Sequence, residues 1–156
     1  MIQKMLDDSG LTKDKEFDNV DFETVQGFGA EWTRFTQEVV KKEELNRVFC
    51  DYFSLFPWGD LSKDAVGADI GCGSGRWASL VAPRVGRLHV VDASLEALKV
   101  ARNNLSSQEN ISFHHASVSN MPLDDESLDF AYSLGVLHHV PDIQAALSAV
   151  KKKLKP

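Results

Sequence analysis

Glycines at 71, 73 and 75, an acid just ahead of them at Asp69 and a second acid at Asp92 are the residues whose types and spacing could do chemistry. They stand in DIGCGSGR (69–76) and VVD (90–92). Glycines without a Cβ let the backbone turn tightly between a strand and a helix, and let a ligand rest against bare peptide groups. An acid about 20 residues further on, at the tip of the next strand, is placed to accept hydrogen bonds from a ribose. The pairing predicts a site for a nucleoside-containing cofactor; the plain alternative is a structural turn that holds nothing.

The elements that must position these residues follow from apolar periodicity. Residues 1–25 are polar and predict a flexible N-terminal arm, followed by a helical cap over 26–60, in which Leu45, Val48, Phe49, Tyr52, Phe53 and Phe56 recur at steps of three and four. The core over 61–156 alternates strand and helix. Ala65 to Ile70 predicts a strand into the glycine loop; Trp77, Leu80, Val81 and Val85 a helix; and Leu88 to Asp92 a second strand. Ser94 caps a helix carrying Leu95, Leu98, Ala101 and Leu105 on one face. Ile111 to His115 and Leu128 to Leu134 read as third and fourth strands, and Pro141 and Asp142 start a last helix. This βαβαβ order implies parallel strands, right-handed crossovers and a ligand crevice beyond the carboxyl ends of the strands.

A chain of 156 residues with 43% hydrophobic and 26% charged residues can form one domain with a real core. A net charge of −6 argues against a protein that grips nucleic-acid phosphates over a broad surface. Cys50 and Cys72 stand far apart without zinc-type spacing, which predicts neither a disulfide framework nor a metal cluster and suits a cytoplasmic setting. Neither a signal peptide nor a membrane-spanning run is legible.

The loop chemistry discriminates between cofactors. In GCGSG the third glycine comes one residue earlier than in the GxGxxG dinucleotide fingerprint. A carboxylate at Asp69 would repel a pyrophosphate but suits an amino group and a sulfonium cation, favouring S-adenosylmethionine over NAD. A nicotinamide-dependent dehydrogenase is the weaker alternative.

Four stretches in order, DIGCGSGR (69–76), VVD (90–92), HASVSNMPL (115–123) and LDFAYSLGVLHHVPD (128–142), resemble the class I S-adenosylmethionine-dependent methyltransferases, in particular the group acting on small molecules. The resemblance implies an α/β, Rossmann-like three-layer sandwich with a partial parallel sheet in the order 3-2-1-4, helices on both faces and an N-terminal helical segment. It places the methionine part of the cofactor against Gly71, Cys72, Gly73 and Gly75, with Asp69 near its amino end. Asp92, with Ala93 beside it, takes the ribose hydroxyls. Ser117 stands where many relatives carry the acid that holds the adenine amino group, and the Val118 backbone supports the base. Ser133 and Leu134, with Gly135, line the methyl-donating end. Similar enzymes build seven strands in the order 3-2-1-4-5-7-6, so the chain reads as truncated after the fourth strand and its helix. An uncovered fourth strand, or the last helix, is then expected to join a second copy in a homodimer.

The remaining candidates carry open alternatives. His138 and His139 could act as the general base for a protonated acceptor, or one could pack under the cofactor while the other bonds a loop; no cluster of other ligands supports a metal there. Cys72 sits by a helix start, where a thiol can acidify, but reads as a small residue that fits the loop. Phe28, Gly29 and Trp32 resemble a lid over the cofactor or a cap on the core. The sequence lacks Asn-Pro-Pro-Tyr and Pro-Cys after the fourth strand, which with the acidic charge favours a small-molecule methyl acceptor. The alternative to a working enzyme is a noncatalytic cofactor-binding or interaction fragment.

Overall fold

The computed structural model describes residues 17–34 and 42–156. Two helices lead the described chain, α1 (Phe22–Arg34) and α2 (Lys42–Tyr52), followed by β1 (Val66–Ile70), α3 (Ala78–Val81), β2 (Arg87–Asp92), α4 (Leu95–Asn104), β3 (Ile111–His115), β4 (Phe130–Tyr132) and α5 (Ile143–Lys153). The strands form one four-stranded sheet in the order β3-β2-β1-β4, every pair parallel. The parallel pairing is what the alternating pattern predicts, and the strand order is the Rossmann-like one that the resemblance implies. The expected arm ends early, because α1 already begins at Phe22; residues 1–16 lie outside the described residues.

Side chains alternate across each strand, so one strand feeds two cores. On one face Leu88, Val90, Phe130 and Tyr132 pack with Phe49 and Phe53 from the α2 region, Ala78 and Val81 of α3, and Leu98 and Ala101 of α4. On the other, Ala68, Ile70 and Val91 pack with Val118, Met121, Leu128 and Ala146 of α5. Phe49 and Phe53 are buried as the helical spacing predicts, but Tyr52, expected on the same stripe, is 63% exposed and lays its ring 5.4 Å from that of Trp77. The helix after the glycine loop is shorter than expected. Pro83 has no N–H to continue an α-helix, and residues Ala82–Arg84 tighten into a 3-10 turn.

Both predicted caps are in place: the Ser94 side chain accepts from the Ala97 N–H at 3.2 Å, and the Asp142 side chain from the Ala145 N–H at 2.9 Å. The edge of β4 is less bare than expected. After α5 the chain turns back along it: the Leu128 N–H donates to the Lys153 carbonyl at 2.8 Å, the Lys155 N–H donates to the Leu128 carbonyl at 2.9 Å, and Leu128 and Leu154 pair in parallel. A Lys155 to Asp129 ion pair at 2.8 Å holds the turn. β4 is shorter than the predicted 128–134 run, since only Phe130–Tyr132 keep register with β1.

Gly67 in β1 lets the Phe130 ring approach its backbone closely, and a Cβ built there would clash with the Cζ and Cε atoms of that ring. Gly67→Ala is therefore expected to destabilise the fold by about 1–3 kcal/mol, the usual cost of overpacking. Urea unfolding checks this: Phe130→Leu in the same chain should restore part of the loss, and a neutral Gly67→Ala would contradict the packing.

Candidate functional site

The glycine loop is bonded into shape at the carboxyl edge of the sheet. The N–H groups of Gly71 and Cys72 both donate to the Val91 carbonyl, at 2.7 and 3.1 Å, which ties the end of β1 to β2. Gly71 and Gly75 hold φ of +75° and +78°, a region that side chains disfavour. A Cβ on Gly75 would also meet Leu105 Cδ1 at 2.7 Å, so this glycine serves the close approach of loop and α4.

Asp92 ends β2 and gathers the loop around itself. Its Oδ2 accepts from the Gly73 N–H at 2.9 Å and its Oδ1 from the Ser94 N–H at 2.8 Å. Burial pushes this carboxyl above its ordinary range, against the pull of the Ser94 and Gly73 N–H groups and His115. Each oxygen keeps a lone pair for a further donor. His115 is positioned beside it, with Nε2 3.1 Å from the Ala93 carbonyl and the Phe17 ring edge-on at 4.9 Å.

Asp69 is 2% exposed, and its Oδ2 has no hydrogen-bond partner. The Tyr132 hydroxyl, also buried and unpartnered, faces it without closing a bond of normal geometry. Burial drives the Asp69 carboxyl up to about 7; Tyr132 opposes the shift and the Asp92 charge adds to it. Burial, with Asp92 and Asp69 nearby, also pushes the Cys72 thiol well up, so it is a packing residue rather than a nucleophile.

A cavity opens at this edge. Gly71, Asp92, Ala93, Ser117, Val118, Leu134 and His139 line it, as do Ile70, Gly135 and Val136. Asp69, Cys72, Gly73, Gly75, Ser133 and His138 do not line it. Ser133 donates its hydroxyl to the Ile70 carbonyl at 2.9 Å, and His138 lies against the outer side of His139 with ring centroids 3.8 Å apart. The predicted candidates thus divide into a set that lines the cavity and a set that does not.

The N-terminal segment closes the cavity. Asn19, Val20, Asp21, Thr24, Val25 and Phe28 complete its wall, and the Phe28 ring meets His139 at 5.1 Å. Phe28 thus lies on the cavity wall; the surroundings of Gly29 and the side chain of Trp32 lie outside the described residues. Asn19, at φ +57°, is a clamp: its Nδ2 donates to the Asp142 carbonyl at 2.7 Å, and its Oδ1 accepts the Asp142 N–H at 2.6 Å. Sequence reasoning missed Asn19. The available signal was Asp21, whose side chain caps α1 by accepting the Glu23 and Thr24 N–H groups and so marks where the arm becomes helix.

Among the described residues no helix is long and apolar enough to cross a membrane, and no group of three or more His, Cys, Asp or Glu is placed to hold a metal.

The fold is that of a Rossmann-like methyltransferase domain. Residues 68–156, more than half of the chain, match the model of the family described as a methyltransferase domain, and the chain belongs to that family. A demethylmenaquinone methyltransferase of Staphylococcus epidermidis is 31% identical over 100 residues, covering 62% of this chain and 42% of that protein. A Staphylococcus aureus enzyme of the same name is 30% identical over 99 residues, 62% of this chain and 41% of its own. The chain thus spans about two fifths of the length of these curated relatives. Among solved structures, YcgJ of Bacillus subtilis shares 25% identity at a TM-score of 0.61, over 74% of this chain and 47% of that one. Phosphoethanolamine N-methyltransferase 1 of Haemonchus contortus, solved with phosphoethanolamine and S-adenosylhomocysteine, has the same fold at 15% identity and a TM-score of 0.67, over 84% of this chain and 30% of that one.

Asp69 also sets a pH dependence. Its carboxyl titrates at about 7 in the fold against 3.8 as a free side chain. Between those values the folded state holds a proton that the unfolded chain has released, so stability falls as pH rises through this window. Asp69→Asn is expected to be more stable than the parent at about pH 8 and to lose that advantage by about pH 4. Unfolding midpoints at both pH values check this, and an advantage that does not change with pH would contradict it.

Proposed function

We propose that this chain binds S-adenosylmethionine and positions it for in-line methyl transfer to a small-molecule acceptor. The observation that carries the reading is Asp92, which lines the cavity with each oxygen held by one backbone N–H and each free to accept one more donor. Two adjacent ribose hydroxyls match that pair. Ser117 supports the base at one end. At the other, Asp69 lies beneath the loop and outside the cavity lining, so its carboxyl would favour the cofactor's cationic amino group through the field it sets up rather than by contact. Gly71, Cys72, Gly73 and Gly75 keep the loop in the shape that the methionine part would follow, with Ala93, Val118, Ser133 and Leu134 supporting the walls.

The dehydrogenase reading has less support. A pyrophosphate needs free N–H groups at a helix start. Here the Gly73 N–H is bonded to a carboxylate, α3 is a single turn, and the nearest charges are acidic.

The cofactor, when bound, supplies an activated methyl group. The residues of this chain orient it, exclude water and receive a proton where the acceptor carries one. Alignment alone can contribute on the order of 7–11 kcal/mol to such a reaction. His139, on the cavity wall against Phe28, is the group we assign as proton acceptor, and His138 backs it. The small acceptor and the cytoplasmic setting, the latter suggested by two free cysteines, belong to the same reading. So does the expected homodimer, supported by Ile143 and Leu147, one turn apart on α5 and each 46% exposed.

Isothermal calorimetry with S-adenosylhomocysteine tests the cofactor. Asp92→Ala removes two charge-assisted hydrogen bonds and is expected to weaken binding roughly ten- to hundredfold or more; unchanged affinity would contradict the assignment. Transfer of labelled methyl to a panel of small acceptors separates an enzyme from a binding fragment. Cofactor binding without transfer to any of them would favour the fragment.

A further inference from the structure

Ser117 is 2% exposed and lines the cavity, yet a serine hydroxyl is an ambiguous recognition group. It rotates, donating to one ligand and accepting from another. Its surroundings remove that freedom. The Ser117 Oγ lies 3.0 Å from Asn120 Oδ1. The same Oδ1 is 3.1 Å from the backbone nitrogen of Asp18, and Asn120 Nδ2 is 3.3 Å from Asp18 Oδ2.

Chemistry fixes every role in this chain. A backbone N–H can only donate, so the atom facing it is the amide oxygen; a carboxylate oxygen facing the other end calls for the amide nitrogen. Asn120 therefore has one orientation. Its oxygen carries no hydrogen, so the Ser117 hydroxyl must donate to it. That leaves only lone pairs on Ser117 to face the cavity.

We propose that Asn120, oriented by Asp18, is a positioning residue that turns the Ser117 hydroxyl into an obligate acceptor and thereby selects a 6-aminopurine nucleoside over its 6-oxo counterpart. The proposal rests on the cofactor reading above. An exocyclic amine donates to such an oxygen, whereas an exocyclic carbonyl would set two acceptors against each other. Selection then depends on a residue about a hundred positions earlier in the chain. Asp18 is held there by its neighbour Asn19, whose side chain is clamped on Asp142 and also donates to Ser119 Oγ at 3.2 Å. The segment that covers the cavity and the group that orients the base-recognising hydroxyl are thus the same stretch of chain.

The test compares S-adenosylhomocysteine with S-inosylhomocysteine by calorimetry on the full chain. The parent protein is expected to favour the adenosyl compound by at least about tenfold. Asn120→Ala should bring the two to within about threefold, and Asp18→Ala, at an exposed position, should move the ratio the same way even where Asn120→Ala fails to fold. Ser117→Asp supplies an acceptor that needs no orienting, so Ser117→Asp/Asn120→Ala should keep the preference. A parent-like ratio in both Asn120→Ala and Asp18→Ala overturns the proposal, as does loss of preference in the double variant. Binding of both compounds by the parent with equal affinity sinks this relay alone; failure of the parent to bind either sinks the cofactor reading with it.

Discussion

The carboxylate of Asp92 is the constraint on which the rest of the site depends. Its two oxygens accept N–H groups from opposite directions, Gly73 in the loop and Ser94 at the start of α4. One side chain thus fixes the loop after β1, the tip of β2 and the entry to α4 relative to one another. The Gly71 and Cys72 bonds to the Val91 carbonyl repeat the tie in backbone. Charge-assisted bonds of this kind are about twice as strong as neutral ones, so the loop is a formed surface rather than a flexible flap.

Beneath that surface the chain tolerates an arrangement that a purely structural turn would avoid. Asp69 and Tyr132 are both buried with unpartnered oxygen atoms, and Arg76 keeps an unpartnered Nε close by in sequence. Each unmet group costs stability, on the order of 1–3 kcal/mol. Such costs concentrate where a ligand can offset them. The apolar layer around these residues, with Phe53 edge-on to Tyr132 at 5.2 Å, keeps the carboxyl in surroundings where a cationic group would be held strongly.

Much of this was legible in the sequence because it is local. Strand and helix periodicity, the caps at Ser94 and Asp142, and the spacing from the glycine loop to Asp92 each depend on residues close together or on one repeated unit. What the sequence could not show depends on pairs far apart. The Asn19 clamp on Asp142 and the Asp18 pairing with Asn120 join segments more than a hundred residues apart and leave no periodic trace. Ser133 looked like a cavity residue from its place after β4, but its hydroxyl turns to the Ile70 carbonyl. Gly75 looked like a ligand contact, and its missing side chain instead makes room for Leu105.

The return of the chain along β4 was hidden for the same reason: Leu128 and Leu154 meet only after α5 has packed, although each stands in an unexceptional apolar pattern. The central claim, that Asp92 and the loop it organises hold a nucleoside, is tested most directly by a crystal structure with S-adenosylhomocysteine. The expected result places both ribose hydroxyls within hydrogen-bond distance of Asp92 and the base against Ser117 and Val118. A nucleoside bound elsewhere, with the Asp92 oxygens facing only Gly73 and Ser94, would contradict it.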